Sequence, residues 1–198
     1  MKMEFSKSLA PHTGKVFEKI SKLECIKPFT LAGGTALSLQ IKKRQSEELE
    51  SVGHVANYEI ASLDYVTFDF EGVRLSFYAA PRKVIPSMQR IPYLNNLYLA
   101  DIESIGAMKM EAMLRRSQFR DYYDIYSILK EGKDIQKMID AALEHSNHKL
   151  RTRGLLAMLT NGRRFIKEKG FEELQPVYNV SATDIQEYIK QKLLEVKK

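Results

Sequence analysis

Residues 29–41 read Phe29-Thr30-Leu31-Ala32-Gly33-Gly34-Thr35-Ala36-Leu37-Ser38-Leu39-Gln40-Ile41. A short apolar run, bounded by paired glycines, predicts a buried strand; Leu37, Leu39 and Ile41 lie in a predicted helix that opens at Thr35 and continues to Lys43. The unit is strand, glycine turn, helix. Unpaired backbone amides and a hydroxyl converge at such a turn, and phosphate is favoured there electrostatically. Gly33-Gly34-Thr35 alone is equally a tight turn followed by a helix cap, which is the commoner case.

Upstream, Val16, Phe17, Ile20 and Leu23 fall on one 3.6-residue face, predicting a helix over residues 14–23 with Thr13 as N-cap. Downstream, residues 64–78 alternate. Val66, Phe68 and Phe70 share one face, Glu71-Gly72 makes a turn, and Val73, Leu75 and Phe77 alternate again, predicting an antiparallel hairpin. Pro81, Pro86 and Pro92 then punctuate a passage read as irregular, and the strands are expected to end before it.

Helices follow: one capped by Asp101 with Ile102, Ile105, Ala112 and Met113 inward, and one over residues 118–130 carrying Phe119, Tyr122, Tyr123, Tyr126 and Leu129, ending near Gly132. Asp134 caps a third with Ile135, Met138, Ile139, Ala142 and Leu143 together. Residues 150–169 read as helix broken at Asn161-Gly162, and the capping box Ser181-Ala182-Thr183-Asp184 begins the last. Strands in the first half and helices in the second make an α+β protein: a small mixed-sheet core over residues 1–95 and a helical region over 96–198.

The 198 residues are 44% hydrophobic and 28% charged, enough for a globular core and too ordered in composition for a disordered tail or a fibre. No apolar run is long enough to span a membrane, and no signal-like segment follows Met1, so a cytoplasmic protein is expected. Cys25 cannot form an internal disulfide and reads as a small buried hydrophobe; no Cys/His cluster has zinc spacing. The net charge of +6 permits a polyanionic partner. It is concentrated where Lys149, Arg151, Arg153, Arg163, Arg164, Lys167 and Lys169 face only Glu144 and Glu168, a stretch that reads as an RNA contact or as a solvated helix face.

Two further segments carry possible chemistry. Glu48 and Glu50 in Ser46-Glu47-Glu48-Leu49-Glu50 project to one side of an extended chain, where two carboxylates hold Mg²⁺ or form a solvated acidic patch. Between residues 109 and 124, Lys109 could reach a phosphate and Asp121 or Asp124 could orient a Lys or Arg; ordinary helix ion pairs explain the same pattern.

Together, the glycine turn, the segment from Lys43-Arg44 through Ser46, Glu48 and Glu50, and the stretch from Ala107-Met108-Lys109 to Arg120-Asp121-Tyr122-Tyr123-Asp124 resemble the AbiEii/AbiGii nucleotidyltransferase toxin family over roughly residues 28–130. The resemblance implies a polymerase-β-like nucleotidyltransferase core and the toxin of a toxin–antitoxin or phage-defence pair. Some relatives add nucleotides to tRNA acceptor ends. By carry-over, Gly33, Gly34 and Thr35 would bind a nucleoside triphosphate, Arg44 and Ser46 would support the site, Glu48 and Glu50 would hold Mg²⁺ or Mn²⁺, and Lys109 and Asp121 would be catalytic, with Lys109 contacting phosphate. RNA or tRNA along the basic stretch and a cognate antitoxin are the implied partners.

The chain departs from that pattern where Glu48-Leu49-Glu50 replaces an Asp-x-Asp, where residues 51–63 are shorter than in the family, and where Ser76 stands in place of a third acidic ligand. Two functions follow: a metal-dependent nucleotidyltransferase, or a non-catalytic member that binds RNA or a partner protein.

Overall fold

The computed structural model describes residues 7–53, 65–78, 88–146 and 150–196. The predicted short segment over residues 51–63 and Lys149 of the basic stretch fall wholly or partly outside the described residues. The fold is α+β. Two compact units divide the chain, Met1–Asp101 and Ile102–Lys198.

The first unit is a six-stranded mixed sheet in the order β3-β4-β2-β1-β6-β5. Its strands are β1 (Phe29–Ala32), β2 (Leu49–Gly53), β3 (Tyr65–Phe70), β4 (Val73–Tyr78), β5 (Arg90–Leu94) and β6 (Leu97–Ala100). Thr30, Leu31 and Ala32 are all buried because β1 lies mid-sheet, antiparallel to β2 and parallel to β6. β2 runs parallel to β4, which forms the predicted hairpin with β3. Glu71 and Gly72 both take positive φ in its two-residue turn, the geometry that matches the twist of the flanking strands.

Helix α1 (Pro11–Ser21) buries Val16, Phe17 and Ile20. It starts earlier than predicted, with Pro11 in its first turn and Ala10 as N-cap, because proline needs no amide partner there. Thr13 is no cap; its hydroxyl donates to the Glu47 carbonyl at 3.1 Å. Leu23 lies beyond the helix and is exposed. Cys25 is exposed too, since the 3₁₀ turn Glu24–Ile26 sends Ile26 inward instead. Helix α2 (Gly33–Ile41) is apolar on most sides, burying Ala36, Leu37 and Leu39 against the sheet, as expected of a helix inside a core.

The passage around Pro92 is strand, not irregular chain. Among the described residues β5 pairs only with β6, so the missing amide of Pro92 costs no ladder bond on the outer side, and the register shifts between Pro92 and Leu94. Proline density had masked a strand that an edge position tolerates.

The second unit is helical: α3 (Ile102–Ala112), α4 (Phe119–Lys130), α5 (Ile135–His145), α6 (Thr152–Leu159) and α7 (Ala182–Glu195). Helix α4 is its axis, with Phe119 and every residue from 121 to 129 buried. Buried tyrosines find partners for their hydroxyls: Tyr122 donates to the Leu159 carbonyl at 2.6 Å and stacks on Phe165 at 4.3 Å, while Tyr123 accepts from the Tyr178 amide at 3.0 Å. Asp134 caps α5 by accepting from Gln136, and Ser181 and Asp184 close the predicted capping box of α7 reciprocally. Among the described residues no helix is long and apolar enough to cross a membrane.

Replacing Ser181 with Ala leaves the Asp184 amide without its acceptor and should cost about 1 kcal/mol. In a thermal melt of the whole chain this is a lowering of about 2–4 °C.

Candidate functional site

In the sheet unit, β1 passes into α2 without a loop. The chain achieves this at Gly33, whose φ of +64° is a conformation that side chains disfavour. The turn is crowded from two directions. A Cβ on Gly33 would overlap the Glu50 carboxylate, and one on Gly34 would come 2.7 Å from Arg44 Nη2 and 3.4 Å from Ser46 Oγ. Gly33 is therefore favoured by backbone shape and by close approach, and Gly34 by close approach alone.

Register explains why Glu50 is there. Glu50 of β2 pairs with Ala32, the residue before the turn, and on its other side with Ser76 of β4. Ser76 in turn shares a hydrogen bond of 3.1 Å with Thr67. Glu48 precedes β2 with its carboxylate 3.7 Å from Arg74, an exposed pair of little energetic weight.

Arg44 and Ser46 are buried beneath the turn, and the segment holding them is fastened to the chain before α1: the Ser46 amide donates to the Ser8 carbonyl at 2.9 Å, and the Ala10 amide to the Ser46 carbonyl at 3.2 Å. Arg44 Nη1 donates to the Gln45 carbonyl at 2.8 Å. Thr35, only 1% exposed, hydrogen-bonds Ser46 Oγ at 2.9 Å and donates to the Glu48 carbonyl. Its hydroxyl thus ties α2 to the strand bearing the carboxylates. The structure brings together Gly33, Gly34, Thr35, Arg44, Ser46 and Glu50, with Glu48 at the margin beside Arg74.

The carboxylates suit a hard divalent cation of the kind held by one or two protein oxygens plus substrate phosphates. Glu50, over Gly33, and Glu48, beside Arg74, are the two carboxylates this segment offers. Among the described residues no group of three or more His, Cys, Asp or Glu could hold a metal alone.

In the helical unit Lys109 of α3 is 5% exposed, and its ammonium lies 2.8 Å from Asp121 Oδ1 and 2.9 Å from Asp124 Oδ2, both on α4. Arg116, in the connection between these helices, grips Asp121 through Nε at 2.7 Å and Nη2 at 3.0 Å. A buried ammonium and two buried carboxylates therefore form a cluster that the more exposed Arg116 guanidinium reaches from its edge. Burial pushes the Asp121 carboxyl up, but the Lys109 ammonium and the Arg116 guanidinium outweigh it and hold the group down at about 2, against an ordinary 3.8. Lys109 is turned toward these aspartates. Arg116 was not among the candidates read from sequence, because its five-residue offset from Asp121 spans a turn and matches no helix spacing.

Of the basic stretch, Arg151 and Arg153 stand exposed at the start of α6, where no acidic residue occupies the first turn, and Arg163 and Lys169 are exposed as well. Lys167 is paired with Glu172 at 2.8 Å, and Arg164 donates to the Met113 carbonyl and to Ser117.

A family model described as "Nucleotidyl transferase AbiEii toxin, Type IV TA system" matches residues 58–191. That span holds Lys109, Arg116, Asp121 and Asp124 and begins after the glycine turn and Glu50. An uncharacterized protein of Aquifex aeolicus (strain VF5) is 20% identical over 203 residues, covering 91% of this chain and 94% of the relative.

Gly33→Ala adds a methyl where the Glu50 carboxylate sits, at a φ reserved for glycine, and should destabilise the chain by about 1–3 kcal/mol in urea unfolding. Asp121→Asn takes one of two carboxylates from the buried Lys109 ammonium, which keeps Asp124, and should cost about 1–3 kcal/mol. Because the folded-state carboxyl titrates below the unfolded one, its contribution is present above pH 3.8 and lost as pH falls toward about 2. Acid unfolding curves should show a decrement of about 2 kcal/mol across that window in the wild type, missing from Asp121→Asn.

Proposed function

The chain belongs to the AbiEii nucleotidyl transferase toxin family of type IV toxin–antitoxin systems, and we propose that it transfers a nucleotide from a nucleoside triphosphate to an RNA 3′-hydroxyl, tRNA included, using Mg²⁺ or Mn²⁺. The observation that carries this reading is the junction of β1 and α2. There a glycine turn, a buried guanidinium and a carboxylate converge on the first residues of a helix, an arrangement suited to a phosphate chain and a cation together.

In this reading Gly33 and Gly34 let the backbone approach the triphosphate. Arg44 supplies positive charge beneath the turn, and Thr35 and Ser46 hold the turn and the Glu48–Glu50 strand in register. Glu48 and Glu50 would hold the metal, which would supply positive charge for phosphoryl transfer. Lys109 is a positioning residue: its ammonium, fixed by Asp121 and Asp124, locks the α3–α4 junction. Arg151, Arg153, Arg163 and Lys169 offer an exposed basic track for the RNA backbone, so RNA affinity falls with salt. The family's second component, a cognate antitoxin, is the partner gene product.

A second reading, a non-catalytic member that binds RNA or a partner protein, is favoured by the pairing of Glu48 with Arg74 and by glutamates at both metal positions.

Purified protein incubated with RNA, each labelled ribonucleoside triphosphate and Mg²⁺ or Mn²⁺ should add label to the RNA 3′ end. Glu50→Gln and Glu48→Gln should lower the rate by about 100-fold or more while melting as the wild type does. A wild type that adds no label with any triphosphate selects the second reading.

A further inference from the structure

Among the described strands β3 is the outermost on its side of the sheet, and it lacks the devices that blunt the opposite edge. It pairs with β4 from Tyr65 to Phe70 without a shift and contains no proline, lysine or arginine, where β5 has Pro92 and a register change. Its apolar face is unfinished. Val66, Phe68 and Phe70 stand opposite Phe77, Leu75 and Val73 of β4. Val73 and Leu75 are 2% exposed, but Val66 and Phe70, one strand further out, are 37% and 39% exposed. The core side of the sheet thus runs to its rim at β3.

The backbone is equally open there. Phe70 and Val73 flank the two-residue turn and so exchange both their backbone bonds, and alternation gives Phe68 and Val66 the same orientation toward β4. The amides and carbonyls of Tyr65, Thr67 and Asp69 therefore point outward, where no described strand takes them.

We infer that this edge is a docking surface for a second copy of the chain: β3 pairs antiparallel with β3 about a two-fold axis at Phe68, and one sheet runs through both chains. The occupant follows from the strand's complementarity to itself. In that register Val66 of each copy lies opposite Phe70 of the other and Phe68 opposite Phe68, so the apolar row meets only apolar residues. Thr67 lies opposite Asp69 of the other copy, and because both present their backbone outward, each such pair exchanges both its bonds. The strand's one charge, Asp69, is flanked by Arg74 on β4 and meets a hydroxyl across the axis instead of its own copy. The inference does not rest on the nucleotide reading.

The test is sedimentation equilibrium of the full chain up to about 100 μM, the concentration a small edge interface calls for. Thr67→Pro removes an outward amide and spares the ladder to β4; Val66→Lys sets a charge opposite Phe70 of the other copy. Thermal melts establish that each variant folds. The wild type should form a dimer, and both variants should weaken it about tenfold or more, whereas Tyr93→Lys on β5 should leave it unchanged. In a Cys25→Ser background, Phe68→Cys should cross-link under mild oxidation, because residue 68 faces itself across the axis, and Thr67→Cys should not.

A wild type that is monomeric at every concentration overturns the proposal and leaves the edge to a strand of a different chain. A dimer that Val66→Lys does not weaken, or that Tyr93→Lys does, overturns it as well and places the interface elsewhere. Cross-linking through residue 67 in place of 68 overturns the register. If Thr67→Pro does not fold, Val66→Lys and the cysteine pair decide the matter.

Discussion

A strand that becomes a helix without a loop must reverse its backbone direction within one residue, and in this chain that residue is Gly33 at φ +64°. Most of the sheet unit is organised around that constraint. The turn brings the start of α2 against the middle of the sheet, where β2, the antiparallel neighbour of β1, delivers Glu50 over it. Thr35 fixes the far side by joining Ser46 and the Glu48 carbonyl, and the segment before α1 secures Ser46 from behind. The site is therefore built by backbone geometry first and by side chains second.

The helical unit solves a different problem. Burying charges is costly unless each is paired and hydrogen-bonded, and the buried Lys109, Asp121 and Asp124 meet that condition with short contacts, joined from the surface by Arg116. Such a cluster contributes less to net stability than an apolar core of equal volume would. It does, however, penalise any packing of α3 on α4 in which one charge loses its partner. Its geometric selectivity adds to that of the tyrosine hydrogen bonds and ring contacts that hold the rest of α4.

Much of this was legible in the sequence where the signal is local. Gly33-Gly34 after an apolar run, Glu71-Gly72 between alternating segments, Asp134 before α5 and Ser181 three residues before Asp184 each carry their structural meaning within a few positions. What stayed hidden depends on distant pairing. The contact of Glu50 with Gly33 follows from a strand register, and the grip of Arg116 on Asp121 from the path of a turn. β5 and β6 were missed because Pro92 argues against a central strand and says nothing against an outer one. Cys25 faces out because a single 3₁₀ turn chose Ile26 for the interior.

Pro92 and the register shift beside it also bear on how the protein survives crowding. An exposed strand edge is a template on which another chain can deposit, and regular edges propagate such growth into aggregates. On the β5 side a newcomer would meet an interrupted ladder: one amide is absent and the spacing changes within two residues. The same irregularity that obscured the strand in the sequence makes β5 a poor template for a further strand.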